Sequence, residues 1–153
     1  MAAPPVALPD RFARVRAHIR VSERRYVDAL REFVRIPSVT TDVPACREAA
    51  RFLGDIVSNA GFAVRADPIA GAGPMLFARV PDAPRSPSVI GYAHYDVKPA
   101  GDRAAWTRDP WGGEIDGGRL YGRGAADDKS GCLAFVFAAE AYAAAVLFRL
   151  AQA

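Results

Sequence analysis

Ser88-Val89-Ile90-Gly91-Tyr92-Ala93-His94-Tyr95-Asp96 is the stretch on which the reading of this chain turns. Its first six residues are nearly all apolar, the pattern of a short strand buried on both faces and so central in a sheet. The run then delivers a His and an Asp two positions apart at its C-terminal end, the edge at which open α/β sheets build their sites. An imidazole there binds a metal through one nitrogen while a nearby carboxylate takes the proton on the other and fixes the tautomer. On its own, a histidine at a strand end is more often a satisfied core or rim residue.

Upstream, Phe62, Val64 and Ala66 alternate and Met75 to Val80 reads as a second short strand. Before these, a helix is expected from Asp42 and Pro44 to Asn59, with Ala49, Phe52, Leu53, Ile56 and Val57 inward and Gly61 as its left-handed stop. Residues 10–35 place Phe12, Val15, Ile19, Tyr26, Leu30 and Phe33 at helical spacing, which predicts one or two amphipathic helices with the arginines outside. Ser22 is placed to cap a second segment, and Ile36-Pro37-Ser38 ends the run because a residue before proline is pushed out of the helical region. Helices followed by strands predict an α/β fold.

Downstream, Tyr95 to Gly118 is rich in Pro, Gly, Trp and Asp, a long irregular connection of the kind kept for function. Arg119 to Gly122 reads as a brief strand. Ser130 to Leu150 is apolar on nearly every face, which predicts a helix buried between layers, with Glu140 in mid-run and Arg149 closing it. It does not read as a membrane span, since a central acid costs about 2 to 3 kcal/mol on insertion.

The composition of the 153 residues, 51% hydrophobic and 24% charged, is that of one ordinary globular domain and excludes disordered and repeat architectures. Cys46 and Cys132 are too few for a disulfide framework, which points to a reducing compartment. Met1 to Arg16 lacks the apolar segment of a secretory signal, so the expectation is an untargeted, cytoplasmic chain. The net charge of +3 has its excess early: residues 1–36 hold eight Arg against four acids. These arginines alternate with an apolar helical stripe and not with stacking aromatics, so neither a nucleic acid nor a membrane is expected as partner.

A second cluster, Tyr121-Gly-Arg-Gly-Ala-Ala-Asp127-Asp128-Lys129, sets adjacent carboxylates on a Gly-rich turn just before the last helix. Such a pair also reads as an N-cap and a first-turn acid. A phosphate loop would want Gly-Lys-Ser/Thr, and acids here would repel an anion. A cation is the better guest, and His94 with Asp127 reads as a zinc, manganese or cobalt site before magnesium or calcium.

GYAHYDVKPA from Gly91 to Ala100, then Trp106, Asp109, Pro110 and Trp111, then LYGRGAADDKSG from Leu120 to Gly131, resemble the zinc metallopeptidase family of carnosinase and cytosolic non-specific dipeptidase. Acetylornithine deacetylase and succinyl-diaminopimelate desuccinylase are relatives. REFVRIPSVT, Arg31 to Thr40, and the helix ending Asn59-Ala60-Gly61-Phe62 also resemble that family's opening. The resemblance spans roughly residues 25–140 and has its dipeptidase flavour in HYDVKPA and DDK.

The resemblance implies an α/β fold, part of a mixed-sheet α/β/α metallopeptidase catalytic domain that is incomplete at the C-terminus. Residues 1–153 would be the N-terminal portion of that single domain, without the dimerisation domain. It implies that His94 ligates one metal, that Asp127 bridges two, that Asp96 is the catalytic-site acid orienting His94, and that the Asp127–Asp128 peptide is cis. Two zinc ions, with manganese or cobalt as alternatives, would polarise the scissile carbonyl and activate a bridging water, whose proton a glutamate takes. Substrates would be small peptides or N-acyl amino acids, and full-length relatives would be homodimers.

That glutamate, the remaining carboxylate ligands and the second terminal histidine have no counterpart here, and His18 fits no motif that would replace the latter. Lys98 stands where the family commonly has Gln, and Ser130 where it commonly has Gly, which bears on the tight turn after Lys129. Trp106 and Trp111 read as packing for the long loop, Cys132 as a small core residue, and Arg123 and Lys129 as balancing local carboxylates. The expectation is a dipeptidase-like, metal-dependent hydrolase in a truncated, inactive form, with exposed apolar surface around Phe135, Phe137, Val146 and Phe148. The alternative is a non-catalytic binding or regulatory module that keeps the fold.

Overall fold

A computed structural model describes residues 12–81 and 89–150, with side chains to residue 145. Residues 1–11, Ser88 and the side chains of Val146, Phe148 and Arg149, used in the reading above, lie outside the described residues. The apolar stripe of the first segment forms one helix, α1 (Ala13–Arg35). Ser22 lies inside it and caps nothing, because the stripe continues through it. Helix α2 (Val43–Asn59) begins where expected: the Asp42 side chain accepts from the Ala45 N–H at 3.0 Å, and a proline occupies the first turn, where a missing N–H costs nothing.

Strand β1 (Ala63–Asp67) pairs antiparallel with β2 (Met75–Arg79), and β3 (Glu114–Asp116) with β4 (Arg119–Tyr121). Helix α3 (Lys129–Leu150) completes a mixed α/β arrangement. The core lies where α1, α2 and α3 meet: Phe33, Ala49, Leu53, Val57, Leu133, Val136 and Phe137 are buried together. Tyr26 of α1 stacks on Phe137 of α3 with ring centroids 4.0 Å apart, and Phe33 stacks on Phe52 of α2 at 5.2 Å.

Two expectations are corrected. Residues 89–94 have no ladder partner among the described residues, and Val89, Ile90 and Tyr92 are 95%, 91% and 85% exposed. An apolar run becomes a central strand only where other strands hydrogen-bond both its edges, and here its inner residues meet side chains instead, Gly91 against the ring of Phe135 and Ala93 against the core between the helices. Helix α3 is likewise buried on one side and not on nearly every face. Cys132, Leu133, Val136, Phe137 and Ala141 face the other helices, while Phe135 and Tyr142 are half exposed. Among the described residues no helix is long and apolar enough to cross a membrane.

The arginines of α1 are also more than a solvated face. Arg31 and Arg35 each donate from Nε, at 3.2 Å, to the carbonyls of Gly113 and Gly112, and so tie the long connection to the helix. Arg25 reaches Glu140 of α3, whose same carboxylate oxygen also meets His18 Nε2 at 3.1 Å and accepts from the Tyr26 hydroxyl at 3.2 Å.

Candidate metal centre

Residues 94–97 carry the His and Asp of the opening motif, and they are held from two directions. On one side the loop after α1 runs parallel to them: the Val97 N–H donates to the Ser38 carbonyl at 2.8 Å, and the Thr40 N–H to the Val97 carbonyl at 3.0 Å. The buried Ser38 hydroxyl adds a bond to the Tyr95 carbonyl at 2.7 Å. On the other side the His94 N–H donates to Asp128 Oδ2 at 3.3 Å, which fastens the segment to the start of α3.

That carboxylate fits because residue 131 is glycine. A Cβ there would lie 2.0 Å from Asp128 Oδ1, well inside any contact distance. Gly124 answers a second constraint, with φ of +85° and an added Cβ 2.6 Å from Val97 Cγ1, so the Gly-rich turn passes close over the segment. The Lys129 N–H closes the turn on the Gly124 carbonyl at 3.0 Å, and the Asp127–Asp128 peptide is cis. Ser130 is accommodated, its hydroxyl pointing back to the Ala126 carbonyl at 3.5 Å.

The two predicted ligands meet across this junction: His94 Nε2 lies 3.1 Å from Asp127 Oδ1. The other ring nitrogen, Nδ1, lies 3.0 Å from the Asp96 carbonyl oxygen and 3.4 Å from its carboxylate Oδ1. A carbonyl only accepts, so Nδ1 carries the hydrogen, and in the neutral ring Nε2 is left with a lone pair facing a carboxylate oxygen. Burial works against a charge on the ring, but the Asp96 carbonyl and carboxylate and Asp127 outweigh it, and the pKa of His94 stands above its ordinary value.

Two acceptors face to face at this distance suit a shared cation. Donors each about 2.0 Å from a tetrahedral zinc stand about 3.3 Å apart, close to the separation seen. The side chains of His94 and Asp127 are 41% and 89% exposed, so an ion has access from solvent. Among the described residues no group of three or more His, Cys, Asp or Glu is placed to hold a metal. The pair is therefore a two-donor arrangement, short of the three protein ligands that catalytic zinc sites use.

Lys129 departs from its expected role. It pairs with no carboxylate among the described residues; fully buried, it donates from Nζ to the carbonyls of Phe33 at 2.8 Å and Ile36 at 2.6 Å. Burial pushes its pKa down to about 8. Arg123 lies over the Trp106 ring at 5.2 Å, and the Trp106 indole N–H donates to the Ala100 carbonyl at 2.8 Å, so this tryptophan packs the loop as expected. Cys132 is buried in the core, which raises its thiol pKa to about 12.

Sequence reasoning passed over Thr40, whose hydroxyl donates to Asp96 Oδ2 at 2.7 Å, and the clip formed by Asp128. For Asp128 a usable signal was Gly131, three residues on and thus beside it once the helix begins. Nothing local in the sequence points from Thr40 to Asp96.

Residues 90–148 match the model of a family described as peptidase family M20/M25/M40. Over 112 residues the chain is 45% identical to a succinyl-diaminopimelate desuccinylase of Rhodospirillum centenum, covering 71% of this chain and 28% of that protein. It is 48% identical over 108 residues to the protein of the same name from Cereibacter sphaeroides, with 71% and 27% covered. Among solved structures it is similar to human carnosine dipeptidase 1, with a TM-score of 0.78 and 30% identity over 92% of this chain and 32% of that one. The fold is also that of the dipeptidase Dug1p from Saccharomyces cerevisiae, with a TM-score of 0.78, 23% identity, and 88% and 31% covered. The chain spans about three tenths of the length of these relatives.

Proposed function

We propose, from the kinship of this chain with the M20/M25/M40 peptidases over residues 90–148, that it contributes metal-holding residues to a metal-dependent hydrolase of peptide or amide bonds. The reading is dipeptidase-like, with small peptides or N-acyl amino acids as substrates, since desuccinylase and dipeptidase chemistry share attack of water on an amide carbonyl. The observation that carries it is the convergence of His94 Nε2 and Asp127 Oδ1 to 3.1 Å with Nδ1 already committed to Asp96.

In this reading His94, through Nε2, and the Asp127 carboxylate would hold the zinc, with Asp127 shared if two ions bind, and Asp96 would keep the imidazole in the required tautomer. Zinc, when bound, polarises the scissile carbonyl and lowers the pKa of its water. Asp128 contributes by holding the His94 backbone against the start of α3. Lys129 anchors the turn that carries Asp127 to the end of α1. Residues 1–153 form part of a single catalytic domain that works in the cytoplasm.

With two donors among the described residues, the 153-residue chain by itself is proposed to bind zinc weakly and to hydrolyse no dipeptide. Zinc titration of the chain, followed through its two histidines, tests this. The expected result is a perturbation of His94 and not of His18, abolished by His94→Ala and weakened by Asp127→Ala. Zinc that perturbs neither histidine overturns the ligand assignment, and dipeptide turnover that chelation abolishes overturns the proposed inactivity.

A further inference from the structure

We propose that Thr40 is a positioning residue of this centre: its hydroxyl holds the Asp96 carboxylate, and through it the His94 ring, in the arrangement that presents Nε2 to the cation. The inference rests on the reading of His94 and Asp127 as ligands and extends it to the loop between α1 and α2.

Thr40 Oγ1 has two acceptors within reach, Asp96 Oδ2 at 2.7 Å and the Val97 carbonyl at 3.3 Å. A hydroxyl has one proton to give, and the shorter contact, to a charged oxygen, is the stronger. The opposite oxygen of the same carboxylate, Oδ1, is the one that lies 3.4 Å from His94 Nδ1. The carboxylate thus lies between a hydroxyl bonded to one oxygen and an imidazole near the other, while the Nδ1 hydrogen itself goes to the closer Asp96 carbonyl at 3.0 Å. Its side chain is 39% exposed, and among the described residues no other hydrogen bond would keep Oδ2 from turning to water without Thr40.

Thr40 is itself placed by backbone and not by chance of rotamer. Its N–H is bonded to Val97, whose own N–H is bonded to Ser38, so the register of the two segments sets Thr40 beside Asp96. The Asp42 N–H bonded to the Val39 carbonyl at 2.7 Å then leads into the cap of α2. A β-branched side chain has few rotamers open to it, which suits a fixed donor.

The test uses the full chain with ¹⁵N-labelled histidine. His94 and His18 are its two histidines, so His18 serves as the internal control. At one pH well above the imidazole range, the ring nitrogen shifts report the surroundings of the His94 ring without metal, and competition with a chelating dye reports zinc affinity. Thr40→Val is expected to shift the His94 ring nitrogens while Nδ1 keeps its bond to the Asp96 carbonyl, leave His18 unmoved, and weaken zinc binding about three- to tenfold, below the 10–100-fold typical of a direct partner of a ligand. Thr40→Ser is expected to restore both readouts. Because Thr40 acts through Asp96, adding Thr40→Val to Asp96→Asn is expected to weaken binding no further.

The proposal is overturned by Thr40→Val with wild-type His94 ring shifts and affinity, or by losses that add in the double variant, as a merely structural role would give. Should Thr40→Val fail to fold by circular dichroism, Thr40→Ala removes the hydroxyl without adding a methyl and is judged the same way. Zinc that leaves His94 of the wild-type chain unmoved defeats the ligand reading, and ring shifts that still respond to Thr40→Val then keep the Thr40–Asp96–His94 link apart from that failure.

Discussion

The ammonium of Lys129 lies 2.8 Å from the carbonyl oxygen of Phe33, ninety-six positions earlier in the chain. With Ile36 as second acceptor, one buried cation closes the C-terminal end of α1, where the helix dipole favours positive charge and each carbonyl, already accepting from a backbone N–H, has a second lone pair to offer. The same residue begins α3 and lies two positions after Asp127, so the end of one helix fixes the turn that carries a predicted ligand. Lys129→Met keeps the apolar stem but removes two charge-assisted bonds from carbonyls that each retain a backbone N–H donor, at about 1 to 2 kcal/mol for each bond. The expected loss is about 2 to 4 kcal/mol in urea unfolding, and zinc affinity should fall with it. A variant as stable as the wild type would show that water replaces the ammonium.

Gly131 gives a prediction in which two principles oppose each other. Alanine is the better helix former by about 0.8 to 1 kcal/mol, and propensity alone makes Gly131→Ala stabilising. The Asp128 carboxylate occupies the space a Cβ needs, and that carboxylate holds the His94 backbone. The variant is therefore expected to melt lower and to bind zinc more weakly, and a raised melting temperature would refute the contact.

What could be read from the sequence was what depends on near neighbours. Asp42 as cap, the proline after it and Gly61 at φ +91° bound α2 by local rules, and the stripe Phe12 to Phe33 made α1 legible. The burial of residues 89–94 and of the outer face of α3 was not, because each needs a partner element that the local pattern does not supply. The meeting of His94 with Asp127 was legible as chemistry, from two residue types that suit one ion. The bonds of Thr40 to Asp96 and of Lys129 to Phe33 and Ile36 were not, since they follow from a parallel register and a helix end that exist only after folding.

Glu140 predicts an acid limb of stability. Burial alone would raise its pKa, but bonds from Arg25, His18 and Tyr26 outweigh it and hold the carboxyl below its ordinary value. A carboxyl depressed in the folded state stabilises it above the unfolded pKa, and the contribution is lost as pH falls through the folded value. Glu140→Gln should therefore cost about 1 kcal/mol at neutral pH, discounted because Arg25 is half exposed. The gap between variant and wild type should close below about pH 4. Urea midpoints measured across that range check it, and a gap independent of pH would mean that the carboxylate charge is not what matters.

The exposed run Val89, Ile90 and Tyr92 lies beside the half-exposed ring of Phe135. Contiguous apolar surface of this kind associates, and a bare strand-like segment offers unpaired backbone groups for a second chain to bond. The 153-residue chain is therefore expected to elute from size exclusion as large or polydisperse species at micromolar concentration. Val89→Lys with Ile90→Glu should shift it toward the monomer, because charge on both faces of the segment opposes stacking and edge pairing together. Neither substitution touches His94 or Asp127, so zinc perturbation of His94 should persist in the monomeric variant. A wild-type chain that elutes as a sharp monomer and unfolds cooperatively would instead favour a self-sufficient binding module, because a stable domain does not leave such a run bare without a purpose for it.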